Sequence, residues 1–118
     1  MIRYSTTGNY RQIITDLTEM KNMDVVSLLD RYGRIGVRRL SRATPTNTGE
    51  LADSWGYYIE PTQRGQKLVF YNTKENDGYK IAILVINGHV TKDGTWVEGN
   101  DFVSPIIDDI CVEINSEI

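Results

Sequence analysis

Cysteine and histidine are nearly absent from this chain, with one of each in 118 residues, Cys111 and His89. A single cysteine excludes a disulfide within the chain, and one His with one Cys cannot supply the ligands of a structural zinc site. Three prolines and no low-complexity tract leave nothing that reads as a linker, and no internal repeat is present. The longest apolar run, residues 81–86, is far too short to cross a bilayer. The opening residues, Met-Ile-Arg-Tyr-Ser-Thr-Thr-Gly, lack the apolar segment of a secretory signal, so the expected place is the cytoplasm, with no membrane partner. Residues 1–118 are expected to form one domain, large enough for a single core without disulfides or metal.

Charge of one sign is missing locally rather than globally. The formal net charge of -3 argues against broad nucleic-acid affinity. Yet Arg31, Arg34, Arg38, Arg39 and Arg42 follow one another with no acid between them, and Asp101, Asp108, Asp109, Glu113 and Glu117 with no base. The molecule is expected to carry a basic and an acidic region.

Convergent catalytic groups are missing too. Ser54 and Gly56 supply half of a nucleophile elbow, but an elbow needs a strand before its serine and a helix after it, and here the order is reversed. Ser54 is expected to hydrogen-bond the turn. Asp77 and Gly78 lack the ligand spacing of a calcium loop, and Gly8, Gly33 and Gly36 have neither the lysine nor the strand context of a phosphate loop. No enzyme and no cofactor is expected.

What is present is a sequence of amphipathic elements. Residues 1–4 read as a short strand or a loose arm. Tyr10, Ile13, Ile14, Leu17 and Met20 recur at helical spacing after a capping Asn9, which predicts a first helix over 9–21. Asp24 is placed to cap a longer helix reaching about Arg42. Val25, Leu28, Leu29, Tyr32, Gly36, Leu40 and Ala43 form its apolar stripe, with Arg31, Arg34, Arg38 and Arg42 on the other side. Gly33 and Gly36 weaken this helix by about 1 kcal/mol each against Ala, and such small residues would let another backbone come close across a subunit boundary.

Residues 55–60 and 67–73 alternate and are separated by turn chemistry, predicting an antiparallel hairpin. Residues 79–87 are rich in Ile and Val and read by propensity as a buried strand. Asp93-Gly94 marks a turn beside a short strand or loop at Trp96 and Val97. In the last helix Ser104 is the expected cap and Pro105 the first residue. Ile106, Ile110, Cys111, Ile114 and Ile118 form its apolar face, which makes Cys111 a small hydrophobe rather than a reactive thiol.

Between the second helix and the hairpin, Pro45 ends the helix, Asn47 and Thr48 offer capping oxygens, Gly49 tolerates unusual backbone angles, and Leu51 and Trp55 anchor the turn to the core. Pro45, Thr48, Gly49, Leu51, Ser54 and Trp55 stand in the order Pro-x-x-Thr-Gly-x-Leu-x-x-Ser-Trp. This order resembles the hallmark of the tail-completion, or head–tail joining, proteins of long-tailed bacteriophages. Ala82, Val85 and Gly88 are similar to a second family segment, in which Ile86 stands where Glu is usual. Phe102 and Pro105 are similar to the stretch leading into the family's last helix.

The resemblance implies a helix rather than a strand at 79–87. It also implies a virion component that forms a ring, of six subunits, in the neck between head connector and tail, with genomic DNA passing through its lumen. Its partners would be its own copies and the neighbouring connector and tail proteins, assembled in the host cytoplasm. The expected fold is α+β: two N-terminal helices, a central antiparallel hairpin extended by one or two short strands, and a C-terminal helix packed on the sheet. On this reading Arg31, Arg34, Arg38 and Arg42 face a neighbouring subunit, the DNA channel or solvent, and the loop bearing His89, Trp96 and Asp101 meets the adjoining ring. Two other classes fit the residues: a small nucleic-acid-binding module using the arginine helix, and a cytoplasmic adaptor.

Overall fold

A computed structural model describes residues 2–7, 10–16, 24–45, 49–63, 65–76 and 79–117. Strands β1 (Ile2–Thr7) and β2 (Tyr10–Asp16) precede the long helix α1 (Val25–Ala43). A single 3-10 turn, Ala52–Ser54, leads into strands β3 (Trp55–Pro61) and β4 (Gly65–Asn72). The short strands β5 (Glu75–Asn76) and β6 (Tyr79–Lys80) pair with each other before helix α2 (Ile81–Asn87), as do the strands β7 (His89–Val90) and β8 (Trp96–Val97) after it, and helix α3 (Val103–Ser116) follows. The fold is α+β.

The main sheet has the order β1-β2-β4-β3, antiparallel throughout. Its β2 strand corrects the expected first helix. Tyr10, Ile13 and Ile14 fit a helical period, but residues 11–16 lie in unbroken register with 65–70 of β4 and give that strand its second hydrogen-bonded neighbour. Ile13, Ile14 and Thr15 are β-branched and lose side-chain freedom in a helix. The register pairs Thr7 with Tyr10, leaving two residues between them. Their sequence, Gly-Asn, is itself a two-residue hairpin signature. Asn9, Leu17 and Met20, on which the helical reading also relied, lie outside the described residues, as do Gly8, Asn47, Thr48, Asp77, Gly78 and Ile118.

Helix α1 starts as its sequence predicts: the Asp24 carboxylate accepts from the Ser27 amide at 3.0 Å, holding the Asp24 carboxyl below its ordinary range. It lies over β3 and β4, α3 lies over β1 and β2, and the two helices touch. The core between helices and sheet contains Leu28, Leu29, Leu40, Leu68, Phe70, Ile107, Ile110 and Ile114. Ala43, counted in the apolar stripe, is exposed because the helix ends there.

Gly33 and Gly36 serve this layer rather than a subunit boundary. A Cβ on Gly33 would stand 2.4 Å from the Tyr57 ring, and one on Gly36 would stand 2.4 Å from the Phe70 ring and 3.0 Å from Ile110. The two missing side chains let α1 settle onto aromatic rings of its own sheet, and that packing offsets the propensity lost in the helix.

Helix α3 departs from expectation at its start. Asp101, not Ser104, satisfies the first amides: its carboxylate accepts from Val103 N at 3.2 Å, Ser104 N at 3.0 Å and Ser104 Oγ at 2.6 Å. Pro105 consequently sits inside the first turn, where its missing N–H still costs nothing. Val103, Ile107, Ile110 and Ile114 are buried, while Ile106 and Cys111 are half-buried at the edges of that face. Burial, with the Asp108 charge second, pushes the Cys111 thiol up to about 11, which keeps it protonated.

Candidate interaction surfaces

Of the motif residues of the joint, Leu51 and Trp55 are buried. Thr44 takes an extended conformation (φ -66°, ψ 121°) ahead of Pro45 and ends α1. Its buried hydroxyl donates to the Leu40 carbonyl at 2.6 Å and accepts from Trp55 Nε1 at 2.8 Å. The last turn of α1 is thereby tied to the first residue of β3. Gly49 has a positive φ of 83°, and its carbonyl accepts from Asp53 N at 3.0 Å. Leu51 is buried, and its carbonyl accepts from the Asn72 side chain at 2.9 Å, while the Asn72 oxygen accepts from Lys74 N at 2.9 Å. Ser54 Oγ donates to the Glu50 carbonyl at 2.6 Å, the turn bond expected of it. Pro45 is exposed.

The other two motif segments close on the same core. Phe102 meets Trp55 edge to face with ring centroids 6.2 Å apart. Residues 81–87 are the helix implied by the resemblance, not the strand that propensity favours. Ala82 is buried, Val85 packs against the core, and the Val85 carbonyl accepts from Asn100 N at 2.8 Å. Gly88 has φ of 83°, and a Cβ there would meet the Trp96 ring at 2.7 Å. These residues hold backbone and core together; none of them presents a polar group to a cavity.

The basic helix divides into used and unused charge. Arg31 and the Tyr32 hydroxyl both reach Glu117 of α3. Burial, then the hydrogen bond and charge of Glu117, push the Tyr32 phenol up to about 12. Arg39, which the helical face had left aside, is bidentate to Glu113, with Nη2 2.9 Å from Oε1. Those bonds hold the carboxyls of Glu113 and Glu117 below their ordinary range. Much of the acidic region is therefore the internal counterpart of the basic one, and these pairs clasp α1 to α3. Arg34 pairs with Asp30 at 3.0 Å, where Tyr57 also donates its hydroxyl. Arg38 and Arg42 are exposed and make no ion pair among the described residues. Of the four arginines named from the sequence, only this pair presents uncommitted charge.

The hairpin of β7 and β8 has the opposite character. Thr91 and Thr95 close it around Gly94, whose φ is 89°. Val90, Trp96 and Val97 are 61%, 55% and 41% exposed, and Trp96 Nε1 donates to Glu98 at 3.0 Å. His89 is half-buried, and its Nδ1 is enclosed without a hydrogen-bond partner among the described residues. Of the three residues expected at a partner ring, Trp96 is therefore presented outward, His89 is half-turned inward, and Asp101 is engaged in capping α3. Val90, opposite Trp96 in the register, shares its face, and Val97 is exposed on the other; no motif contains either valine, and the turn signal at Asp93-Gly94 was the only pointer to them.

Among the described residues, no group of three His, Cys, Asp or Glu side chains is placed to hold a metal ion, and no helix is long and apolar enough to cross a membrane. A shallow hollow beside Asp24, Ser27, Leu28, Arg31 and Arg34 has no enclosed polar group to orient a small molecule. No family model, no curated protein and no solved structure matches the chain.

Proposed function

We propose that this chain is a structural virion protein of a tailed phage, assembling as a ring at the head–tail junction, where it joins connector to tail around the DNA path. Two features support the reading. The residues that resemble the tail-completion family interlock through Thr44, Trp55 and Phe102, so the resemblance falls on the joint that organises the fold. The observation that carries it is the presence of two unlike exposed patches on different elements: Arg38 and Arg42 on α1, and Val90 and Trp96 on the β7–β8 hairpin. A ring requires a heterologous interface built from two different patches on each subunit. The aromatic and aliphatic hairpin supplies the kind of anchor that dominates association energy, while exposed arginines set encounter and register.

The test is the mass of the purified chain by light scattering across a concentration series at low and moderate salt, alone and with connector complexes. Closed species of one discrete size, or incorporation into the connector, are the expected results. A monomer that also fails to join connectors rejects the proposal. DNA binding by such a monomer, falling steeply with salt, would favour the nucleic-acid module through Arg38 and Arg42.

A further inference from the structure

Among the described residues, the main sheet ends in two strands with a neighbour on one side only, β1 and β3. The hydrogen-bond parity of the ladder shows which backbone groups are left over. Just before β3, the Ser54 carbonyl accepts from Thr73 N at 3.0 Å; just after it, Thr62 N donates to the Gly65 carbonyl at 2.8 Å. Since antiparallel pairs alternate between bonded and non-bonded, Gly56, Tyr58 and Glu60 bond to β4. The N–H and C=O groups of Trp55, Tyr57 and Ile59 point the other way, and no hydrogen bond reaches them among the described residues. Carrying the same alternation through β4 and β2 makes Arg3, Ser5 and Thr7 the residues of β1 that bond β2, and Ile2, Tyr4 and Thr6 those whose backbone groups point outward. Each edge thus offers three outward residues at alternate positions.

The strand count decides the direction in which two such edges meet. Four strands alternating in direction leave β1 and β3 antiparallel to each other. A second copy placed beside the first by rotation about an axis along the strands therefore brings its β1 antiparallel against β3, the more favourable ladder. Two copies of β3 brought together would give a closed two-fold pair instead. Charge favours one register, in which Arg3 would join an existing pair on the same face, Glu60 with Lys67 of β4, whose Nζ lies 2.7 Å from Oε1. Arg3 is the only charged residue of β1, and Glu60 the only one of β3. Placing them opposite each other sets Tyr58 against Ser5 and Gly56 against Thr7, and brings the outward groups of Tyr57 and Ile59 to those of Thr6 and Tyr4. Long edge strands invite pairing unless a charge, a bulge or a cover blocks them. In β3 the charge of Glu60, paired with Lys67, and Pro61 both fall at its end, and the exposed Tyr58 ring leans on Tyr71 of the same sheet, 6.0 Å away.

We infer that subunits of this protein join by β-strand addition, β3 of one copy pairing antiparallel with β1 of the next, so that the four-stranded sheet continues from subunit to subunit. This rests on the ring reading above and names the contact that closes the ring.

The test uses the full chain with Cys111→Ser, carrying Ser5→Cys and Tyr58→Cys together under mild oxidation, with light scattering on the same samples before oxidation. Opposed non-hydrogen-bonded positions place side chains close enough to bridge, so a ladder of linked chains ending at the ring size is expected. Tyr4→Cys with Tyr58→Cys, one position out of phase, should lose that product. Glu60→Arg should lose the assembled species, and Arg3→Glu added to it should restore it, which guards against a variant that merely misfolds. Rings of normal mass with no crosslink in the Ser5/Tyr58 pair overturn the strand pairing and leave the ring reading intact. A crosslinked dimer from Tyr58→Cys alone overturns it in favour of the two-fold pair. Monomers without crosslinks at every concentration, both alone and with connector complexes present, overturn both.

Discussion

The joint between α1 and β3 and the hairpin of β7 and β8 are made of similar residues put to opposite uses. Each has a tryptophan with a bonded indole N–H. Trp55 is enclosed, donating to a buried threonine and flanked by Phe102; Trp96 stands outside, donating to the exposed Glu98. In the joint every buried polar side chain is answered within the chain: Thr44 both donates and accepts, and so does Asn72. Leaving such groups unpaired would cost more than the bonds gain, so the joint admits few substitutions. The hairpin obeys no such constraint and leaves apolar surface in water, which is favourable only when something covers it. The described motif residues therefore mark the scaffold here, and the exposed apolar residues of the hairpin lie where no motif runs.

The sharpest way to break this contrast is Trp55→Ala. It removes a buried indole and orphans the acceptor side of Thr44, and a loss of about 3–5 kcal/mol is expected in denaturant unfolding. If stability is unchanged, the joint does not hold the fold. Acid should act next, through the clasp between α1 and α3. The carboxyls of Glu113 and Glu117 are held below their ordinary value of 4.5 by Arg39, and by Tyr32 with Arg31, respectively. Groups depressed in the folded state contribute stability fully above the unfolded value and lose it as pH falls through the folded one. The melting temperature should therefore hold above about pH 5 and fall below 4.5, and Glu113→Gln should flatten part of that fall. A profile identical in the variant would mean that the clasp adds nothing. Trp96→Ala should have the smallest effect on stability, within about 0.5 kcal/mol by thermal melting, yet reduce association measured by light scattering. Equal losses of stability from Trp55→Ala and Trp96→Ala would erase the distinction between the two regions.

Local signals with one dominant cause were readable directly. Asp24 begins α1 because its carboxylate meets an orphan amide, and Pro45 ends it by excluding the helical conformation at Thr44. The alternation in β3 and β4 and the turn at Gly94 followed from period and chemistry. Ser104 misled because an aspartate three residues earlier reaches the same amides with a charge as well as a lone pair. Arg39 belongs to the basic run but not to the arginine face, because a helical wheel places it within the apolar stripe beside Leu28 and Tyr32, and the approach of α3 gives it a partner.

The two ends of α1, the β3–β4 hairpin and the presence of a last helix were determined by the sequence alone, because each depends on neighbours within a few residues. Three other matters were decided by tertiary structure. Residues 10–16 became a strand because the open side of β4 rewards a long ladder more than a short amphipathic period rewards a helix. Gly33 and Gly36 became seats for Tyr57 and Phe70 because only the packed sheet brings those rings to the helix. Arg31 and Arg39 of the basic region and Glu113 and Glu117 of the acidic one became an internal clasp, leaving Arg38 and Arg42 without an ion pair among the described residues, because charges far apart along the chain meet only once α1 and α3 lie side by side.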